Sequence, residues 1–452
     1  MLESLLAAQP KAPDAPDALA LRAAGPGLVM SAGVALLGEC RDTPDRANPL
    51  MRSLAWRDRR LGSHDRRIIK AALVGVMRHG AAAELLLRQG GWSGERWPEA
   101  LWLALLVWEA GVPLELAEQS FGAPVFGAFA DPIGALRQAV EGWPKARTLG
   151  LLASQPEWLA ERWIEQFGEE EAARLACAQN ERGPLSLRAN RLRISPEGLI
   201  AKLAEEKIQA KPGRWAPDAV EAIGPANLLA TRAFRQGLFE MQDEGSQLIA
   251  ELVAVPRGGL VVDLCAGSGG KTLAIAAKLP KGARIWALDV RDIALDEAAE
   301  RLRRAGIEGV RLDRLDPKAP LPVAPESAAV VLVDAPCSGS GTLRRNPALR
   351  WRLTPEMVEE LHATQRTLLA KAAGLVRAGG RVVYATCSLF TRENEEVIDA
   401  FIAENPGWSI IPVKERLGAG RAEAVSRGPY LGMLPQVHGS DGFFAAILQR
   451  ER

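Results

Sequence analysis

Two cysteines stand in matching surroundings fifty residues apart, in Val333-Asp-Ala-Pro-Cys337 and in Tyr384-Ala-Thr-Cys387-Ser388. Each follows a run that reads as a buried strand, residues 329–334 and 381–386. Side by side in a parallel sheet, two such strand ends deliver both thiols to the carboxyl edge, where open α/β sheets bind ligands. Paired thiols there point to covalent chemistry on an electrophile, and thiolate formation is favoured by nearby cations such as Lys271 or Arg344. Asp334, three residues before Cys337, adds an acid that can serve a ring nitrogen during such a reaction. A phosphatase loop would need Arg six residues after the cysteine, where Leu343 stands. Cys40 and Cys177 read as small buried hydrophobes.

A second group of residues marks a cofactor turn: Asp263-Leu-Cys265-Ala266-Gly267-Ser268-Gly269-Gly270-Lys271-Thr272 runs from a strand into a helix. Glycines let the backbone approach a ligand closely, and the helix start offers unpaired N–H groups. A Walker A loop requires Gly where Cys265 stands, and a dinucleotide fingerprint requires Gly where Thr272 stands. The remaining Asp-x-x-x-Gly-x-Gly turn is followed, at the end of the next strand, by Asp289, an acid able to accept from ribose hydroxyls. This combination resembles class I S-adenosylmethionine (SAM) methyltransferases. A thiol beside SAM suits methylation of a pyrimidine C5, since thiolate addition at C6 turns the ring into an enamine that attacks the methyl group.

These residues need a frame to hold them. The order strand, helix, strand, helix after Met241 predicts an α/β, doubly wound, mostly parallel sheet, and the resemblance to class I SAM methyltransferases implies a Rossmann-like sheet of seven strands. Residues 1–30, rich in Ala and Pro with breakers at Pro10, Pro13 and Pro16, read as a flexible tail. Residues 31–142 show helical periodicity (Ile68, Ile69, Leu73, Val76, Met77, then Leu101, Leu105, Trp108, Val112) and form an all-helical domain. Gly142-Trp-Pro-Lys145 reads as a linker, residues 150–240 as a small α+β module, and 241–452 as the catalytic domain.

Composition bounds the rest. The 452 residues carry 56 basic and 55 acidic side chains, a net +1, so contact with nucleic acid depends on local basic clusters rather than on a global field. Five scattered cysteines and four dispersed histidines, without Cys-x-x-Cys spacing, argue against a disulfide framework and against a metal site. No apolar run approaches the roughly 18 residues of a membrane span, and Glu3 stands where a signal peptide would be basic. A cytoplasmic monomer with no membrane partner is expected.

Asp334-Ala-Pro-Cys-Ser-Gly-Ser-Gly-Thr-Leu-Arg-Arg-Asn-Pro347 with Arg350-Trp351, together with Ala385-Thr-Cys-Ser388 and Glu393-Asn-Glu-Glu396, resembles the signatures of the Sun (Fmu or RsmB type) RNA 5-methylcytosine methyltransferases. Gly237-Leu-Phe-Glu-Met-Gln-Asp-Glu-Gly-Ser-Gln247 is similar to the segment before that family's catalytic core. Pro184 to Asn190 is similar to its small RNA-binding module. Leu61-Gly-Ser-His-Asp-Arg-Arg67 and Leu73-Val-Gly-Val-Met-Arg78 resemble the NusB-like helical domain that some members carry. The resemblance implies that Cys387 is the nucleophile, that Cys337 helps release product, and that Asp334 and Lys271 act beside them. It also implies SAM bound by Cys265, Ala266, Gly267, Ser268, Gly269, Gly270, Lys271, Asp289 and Asp334, with Asp316 or the nearby Asp313 on the adenine side. Ser268 departs from the proline common in the family and keeps the glycines.

Arg344, Arg345, Arg350 and Arg352, interleaved with Trp351, put charge and an apolar ring just after the Pro-Cys loop. Arg188, Arg191 and Arg193 form a second cluster and Arg57 to Arg67 a third, which suits a folded RNA gripped at several points. The target base must leave its stack to reach a thiol. The resemblance makes ribosomal RNA of the small subunit the expected substrate. The rival readings are a transfer RNA substrate, and a non-catalytic RNA-binding factor that keeps the methylase fold.

Overall fold

The computed structural model describes residues 1–452 apart from 14, 16, 17, 44–46, 48, 52, 54–57, 225, 317 and 318. Pro16 and Arg57, both used in the sequence reading, lie outside the described residues. The chain forms two compact units. One comprises Met1–Arg182 and Leu343–Leu353, the other Gly183–Thr342 and Thr354–Arg452.

Helices build the first unit, with no strand among its described residues. The longest, Ser63–Gln89, starts where the Gly62 N–H donates to the Asp65 side chain at 2.9 Å, an acid placed where the helix dipole favours it. Ile69, Leu73, Val76 and Met77 are buried along one face, which packs against the Trp97–Ala110 helix and its buried Leu101, Trp102 and Leu105. The Trp102 indole lies against Gly33 of the Leu28–Asp42 helix, where a Cβ would come within 2.3 Å of the ring, so only glycine fits. Residues 1–30 correct the expectation of a flexible tail. Helices Leu2–Ala7 and Ala18–Ala24 occupy them and bury Leu5, Leu6 and Ala20. Pro10 and Pro13 separate the two helices, and their apolar faces are covered by the unit; six or seven residues are too few for periodicity to announce this. The helices Glu157–Phe167 and Glu169–Asn180, read from sequence as part of the α+β module, pack within this unit. No single helix among the described residues is long and apolar enough to cross a membrane.

The second unit contains two sheets. A four-stranded antiparallel sheet has the order β2-β3-β1-β4, from β1 (Leu185–Ala189), β2 (Ala210–Pro212), β3 (Ala219–Ala222) and β4 (Phe239–Met241). Leu187, Val220 and Phe239 pack there against Leu199 and Leu203 of the Pro196–Glu205 helix.

The larger sheet is built on β5 (Leu260–Asp263), β6 (Arg284–Asp289), β7 (Val310–Arg314), β8 (Ala328–Asp334) and β9 (Val376–Thr386), all parallel. β10 (Trp408–Ile411), β11 (Ser426–Arg427), β12 (Tyr430–Met433) and β13 (Phe443–Arg450) extend it antiparallel beyond β9. The sheet thus has nine strands rather than seven, because the chain after the Glu395–Glu404 helix adds short antiparallel strands to the edge. Apolar cores cover both faces, which is why β5 and β8 read as continuous Val-rich runs instead of alternating. β5 lies between β6 and β8, so the strand order reverses there, and ligands bind outside the carboxyl ends at such a point.

Candidate functional site

Four carboxyl ends meet at this reversal: Asp263 of β5, Asp289 of β6, Asp334 of β8 and Thr386 of β9. The turn after β5 is shaped by Gly267 (φ 55°) and Gly269 (φ 76°), left-handed conformations that favour glycine, before the Gly270–Ala276 helix begins. Asp263 is buried and accepts from the Thr272 hydroxyl at 2.6 Å, while its other oxygen is buried without a hydrogen-bond partner. Burial pushes its pKa up to about 7. Asp289 accepts from the Gly267 N–H at 2.8 Å and from the Arg291 N–H and guanidinium at 3.0 Å. Burial opposes its ionisation, but the Arg291 bonds outweigh it and hold the carboxyl below its ordinary value.

Cys265, Ala266, Gly267 and Ser268 remain partly exposed at this edge. An orphaned acceptor on Asp263 and a turn of available backbone fit the amino-acid part of SAM, while Asp289, whose oxygens already accept from Gly267 and Arg291, meets a ribose hydroxyl where the exposed Arg291 side chain gives way. Burial also pushes the Cys265 thiol well up, as do the carboxylates of Asp263, Asp334 and Asp289, which disfavours its thiolate. Asp313 is committed to the Trp286 indole at 2.9 Å and the Arg311 guanidinium at 2.8 Å. Asp316 is exposed just beyond the end of β7, next to the strand that ends in Asp289.

Asp334 pairs with Lys271 at 2.6 Å. Burial disfavours the ammonium of Lys271, but the Asp334 carboxylate more than offsets it and its pKa is raised. Because Asp334 is opposite Ala385 in the β8–β9 register, the loops after these strands emerge together. The Ala335 N–H donates to the Ala385 carbonyl and the Gly341 N–H to the Cys387 carbonyl, each at 2.9 Å. The result is a Cys337 Sγ to Cys387 Sγ distance of 3.3 Å. Its hydrogen bond with Cys387, then burial, drives the Cys337 pKa well above a normal thiol. This arrangement can present one thiol to an electrophile with a second thiol beside it and an acid–cation pair on the adjoining strand end.

The basic residues divide. Arg188 on β1 is buried, donates to Gln242 at 2.6 Å, and is pulled down by burial to about 10, so it is a structural residue and not an RNA contact. Arg350 is fully buried within the first unit and donates to the carbonyl of Ala153 at 2.9 Å and to Asn180 Oδ1 at 2.7 Å, with longer bonds to the Met77 and Gln179 carbonyls. It too is corrected to a structural role, and Arg344 is likewise buried. The place of this run just after the Pro-Cys loop points to RNA contact, but the segment Leu343–Leu353 is folded into the helical unit. Arg345 and Arg352 are exposed and Trp351 is half-buried.

Sequence reasoning missed Ser338, Ser388 and Gln365, which surround the carboxylate of Glu393 beside both thiols. The signal was available: both cysteines are followed by serine, and Glu393 opens a quoted motif that had no assigned role.

Residues 251–449 match the family model of the 16S rRNA methyltransferase RsmB/F, and residues 155–228 match the ferredoxin-like domain of RsmF/B-like methyltransferases. The chain is 30% identical over 334 residues to a probable ribosomal RNA small subunit methyltransferase B of Bacillus subtilis, covering 74% of this chain and 72% of that one. It is 33% identical over 307 residues to the corresponding Synechocystis protein, covering 67% and 68%. A solved methyltransferase homologue from Pyrococcus horikoshii superposes with a TM-score of 0.57 at 28% identity, over 68% of this chain and 97% of that one.

Proposed function

The chain belongs to the RsmB/F family of rRNA methyltransferases and is a SAM-dependent RNA methyltransferase, and from that premise we propose that it methylates C5 of a cytosine in small-subunit ribosomal RNA. The observation that carries the proposal is the pair of thiols 3.3 Å apart beside the Lys271–Asp334 pair.

When bound, SAM supplies an electrophilic methyl group. The residues proposed to hold it are the turn from Cys265 to Lys271, with Asp289 towards the ribose, Asp316 towards the adenine and Asp334 beside the methyl. Asp316 is preferred to Asp313 because it stands exposed just beyond the end of β7, beside the strand that ends in Asp289. Cys387 adds as thiolate to C6 of the cytosine, which raises electron density at C5. Asp334 accepts from the amino group, a proton delivered to N3 from the Lys271–Asp334 pair neutralises the charge that develops on the ring, and Lys271 orients Asp334. After transfer a water molecule takes the C5 proton, the electron pair of that C–H bond re-forms the C5–C6 double bond, and Cys387 leaves C6 as thiolate, with Cys337 assisting release. Arg345 and Trp351 are the proposed RNA contacts of the run after the loop, and the helical unit and the four-stranded module are proposed as further RNA-binding surfaces.

Incubation with labelled SAM and unmodified small-subunit rRNA, followed by nuclease digestion, tests this. The expected product is 5-methylcytidine from the wild type and none from Cys387→Ala. Label on a ribose, on another base, or in Cys387→Ala to the wild-type extent overturns the proposal.

A further inference from the structure

Both cysteines of the pair are followed by serine, and the hydroxyls of Ser338 and Ser388 lie 3.1 Å apart. Each has a single proton to donate. Both are aimed at one oxygen, Oε2 of the fully buried Glu393, at 2.5 Å from either hydroxyl. The close approach of the two serine oxygens is therefore a consequence of their sharing an acceptor. The other carboxylate oxygen accepts from the Ser338 N–H at 2.8 Å and from Gln365 Nε2 at 2.9 Å, and the same Gln365 amide donates to the Pro336 carbonyl at 2.9 Å. Four donors from three segments thus converge on one side chain, two of them from the loop of Cys337 and one from the loop of Cys387. The Glu393 backbone is itself fixed, since its carbonyl accepts from the Tyr384 hydroxyl of β9 at 2.6 Å. Ser388 Oγ also accepts from the Phe390 N–H at 3.1 Å and lies 3.2 Å from Ser340 Oγ, so its rotor has little freedom.

We infer that Glu393 is a positioning residue for methyl transfer: by serving as the common acceptor of the two Cys-Ser loops, it holds the two thiols at contact distance. The inference rests on the two-thiol chemistry proposed above. A carboxylate is suited to this because it is acceptor-only at both oxygens, whereas glutamine offers one acceptor and would turn a donor towards two hydroxyls that need to donate. An unmet buried donor costs enough to move a loop.

The test uses the full chain as wild type, Glu393→Gln and Ser388→Ala. The rate of Cys337–Cys387 disulfide formation with the dithiol oxidant diamide is measured without RNA, by mass spectrometry. The kcat and the KM for SAM are measured with RNA, alongside thermal unfolding. Both variants are expected to cross-link about tenfold more slowly and to lose about tenfold in kcat, with the KM for SAM unchanged within about twofold. Ser388→Ala decides the matter if Glu393→Gln does not fold, because it removes one clamped hydroxyl and keeps the carboxylate's other donors. Cross-linking at the wild-type rate, or a fall in kcat matched by an equal rise in the KM for SAM, overturns the inference. Because cross-linking needs no RNA, absence of cytosine methylation by the wild type would defeat the functional reading and leave the positioning result standing.

Discussion

Replacing Arg350 by Met separates a structural arginine from an RNA-binding one. The guanidinium is fully buried and its acceptors are neutral oxygens, two of them in short contact at Ala153 O and Asn180 Oδ1. Bonds from a charged donor contribute about 1.5–3 kcal/mol each, so two give about 3–6 kcal/mol. Methionine of similar length recovers part of the cost of burying a charge, a cost visible in the downward pull of burial on Arg350 to about 9. A net destabilisation of about 2–4 kcal/mol of the helical unit is expected. Urea unfolding followed by tryptophan fluorescence reads it, with Trp102 and Trp108 buried in that unit. The salt dependence of RNA binding supplies the second reading. A phosphate contact contributes about 0.7–0.9 to the slope of log K against log salt. Arg350→Met, assayed where it is folded, should leave that slope unchanged. Stability within about 0.5 kcal/mol of wild type together with a slope reduced by about 0.7 would refute the structural assignment.

Two other outcomes follow from the same reasoning. Burial raises Glu109 to about 7, so its contribution to stability is fully present below the ordinary carboxyl value near 4.5 and is lost as pH rises through 7. Glu109→Gln should therefore gain up to about 3 kcal/mol on the wild type between pH 5 and pH 9, and parallel pH profiles of unfolding would contradict this. Asp289→Ala removes both the acceptor for the Gly267 N–H and the proposed ribose contact, and should weaken SAM binding by about 10–100-fold in calorimetry, against an expected small change in melting temperature; unchanged affinity would contradict the assignment.

The catalytic sheet was legible because its strands are apolar runs bounded by chemistry-bearing turns. β6, β8 and β9 end at the expected residues, Asp289, Asp334 and Thr386. The edge was less legible. β7, Val-Arg-Leu-Asp-Arg, is partly exposed and carries three charged residues in five, and β11 has two residues, so neither stands out as a buried strand. The short helices at Leu2–Ala7 and Ala18–Ala24 owe their order to tertiary cover that no local pattern expresses.

In the site, residue types and spacing pointed to the cysteines, the turn and Asp334, because their chemistry is specific. Basic residues were the weak point. Arg188, Arg344 and Arg350 look identical in sequence to exposed arginines, and only packing reveals that carbonyl and amide oxygens claim Arg188 and Arg350. Glu393 shows the converse, a residue quoted for its motif whose role became visible only through four hydrogen bonds to segments far apart in sequence.

The central claim is that Cys387 forms the covalent bond to the base and that Cys337 is needed for its release. Denaturing electrophoresis of the enzyme after incubation with SAM and labelled rRNA tests it directly. The account predicts an RNA–protein adduct that accumulates with Cys337→Ala and is absent with Cys387→Ala and with the double variant. An adduct formed by Cys387→Ala, or none from Cys337→Ala, would contradict it.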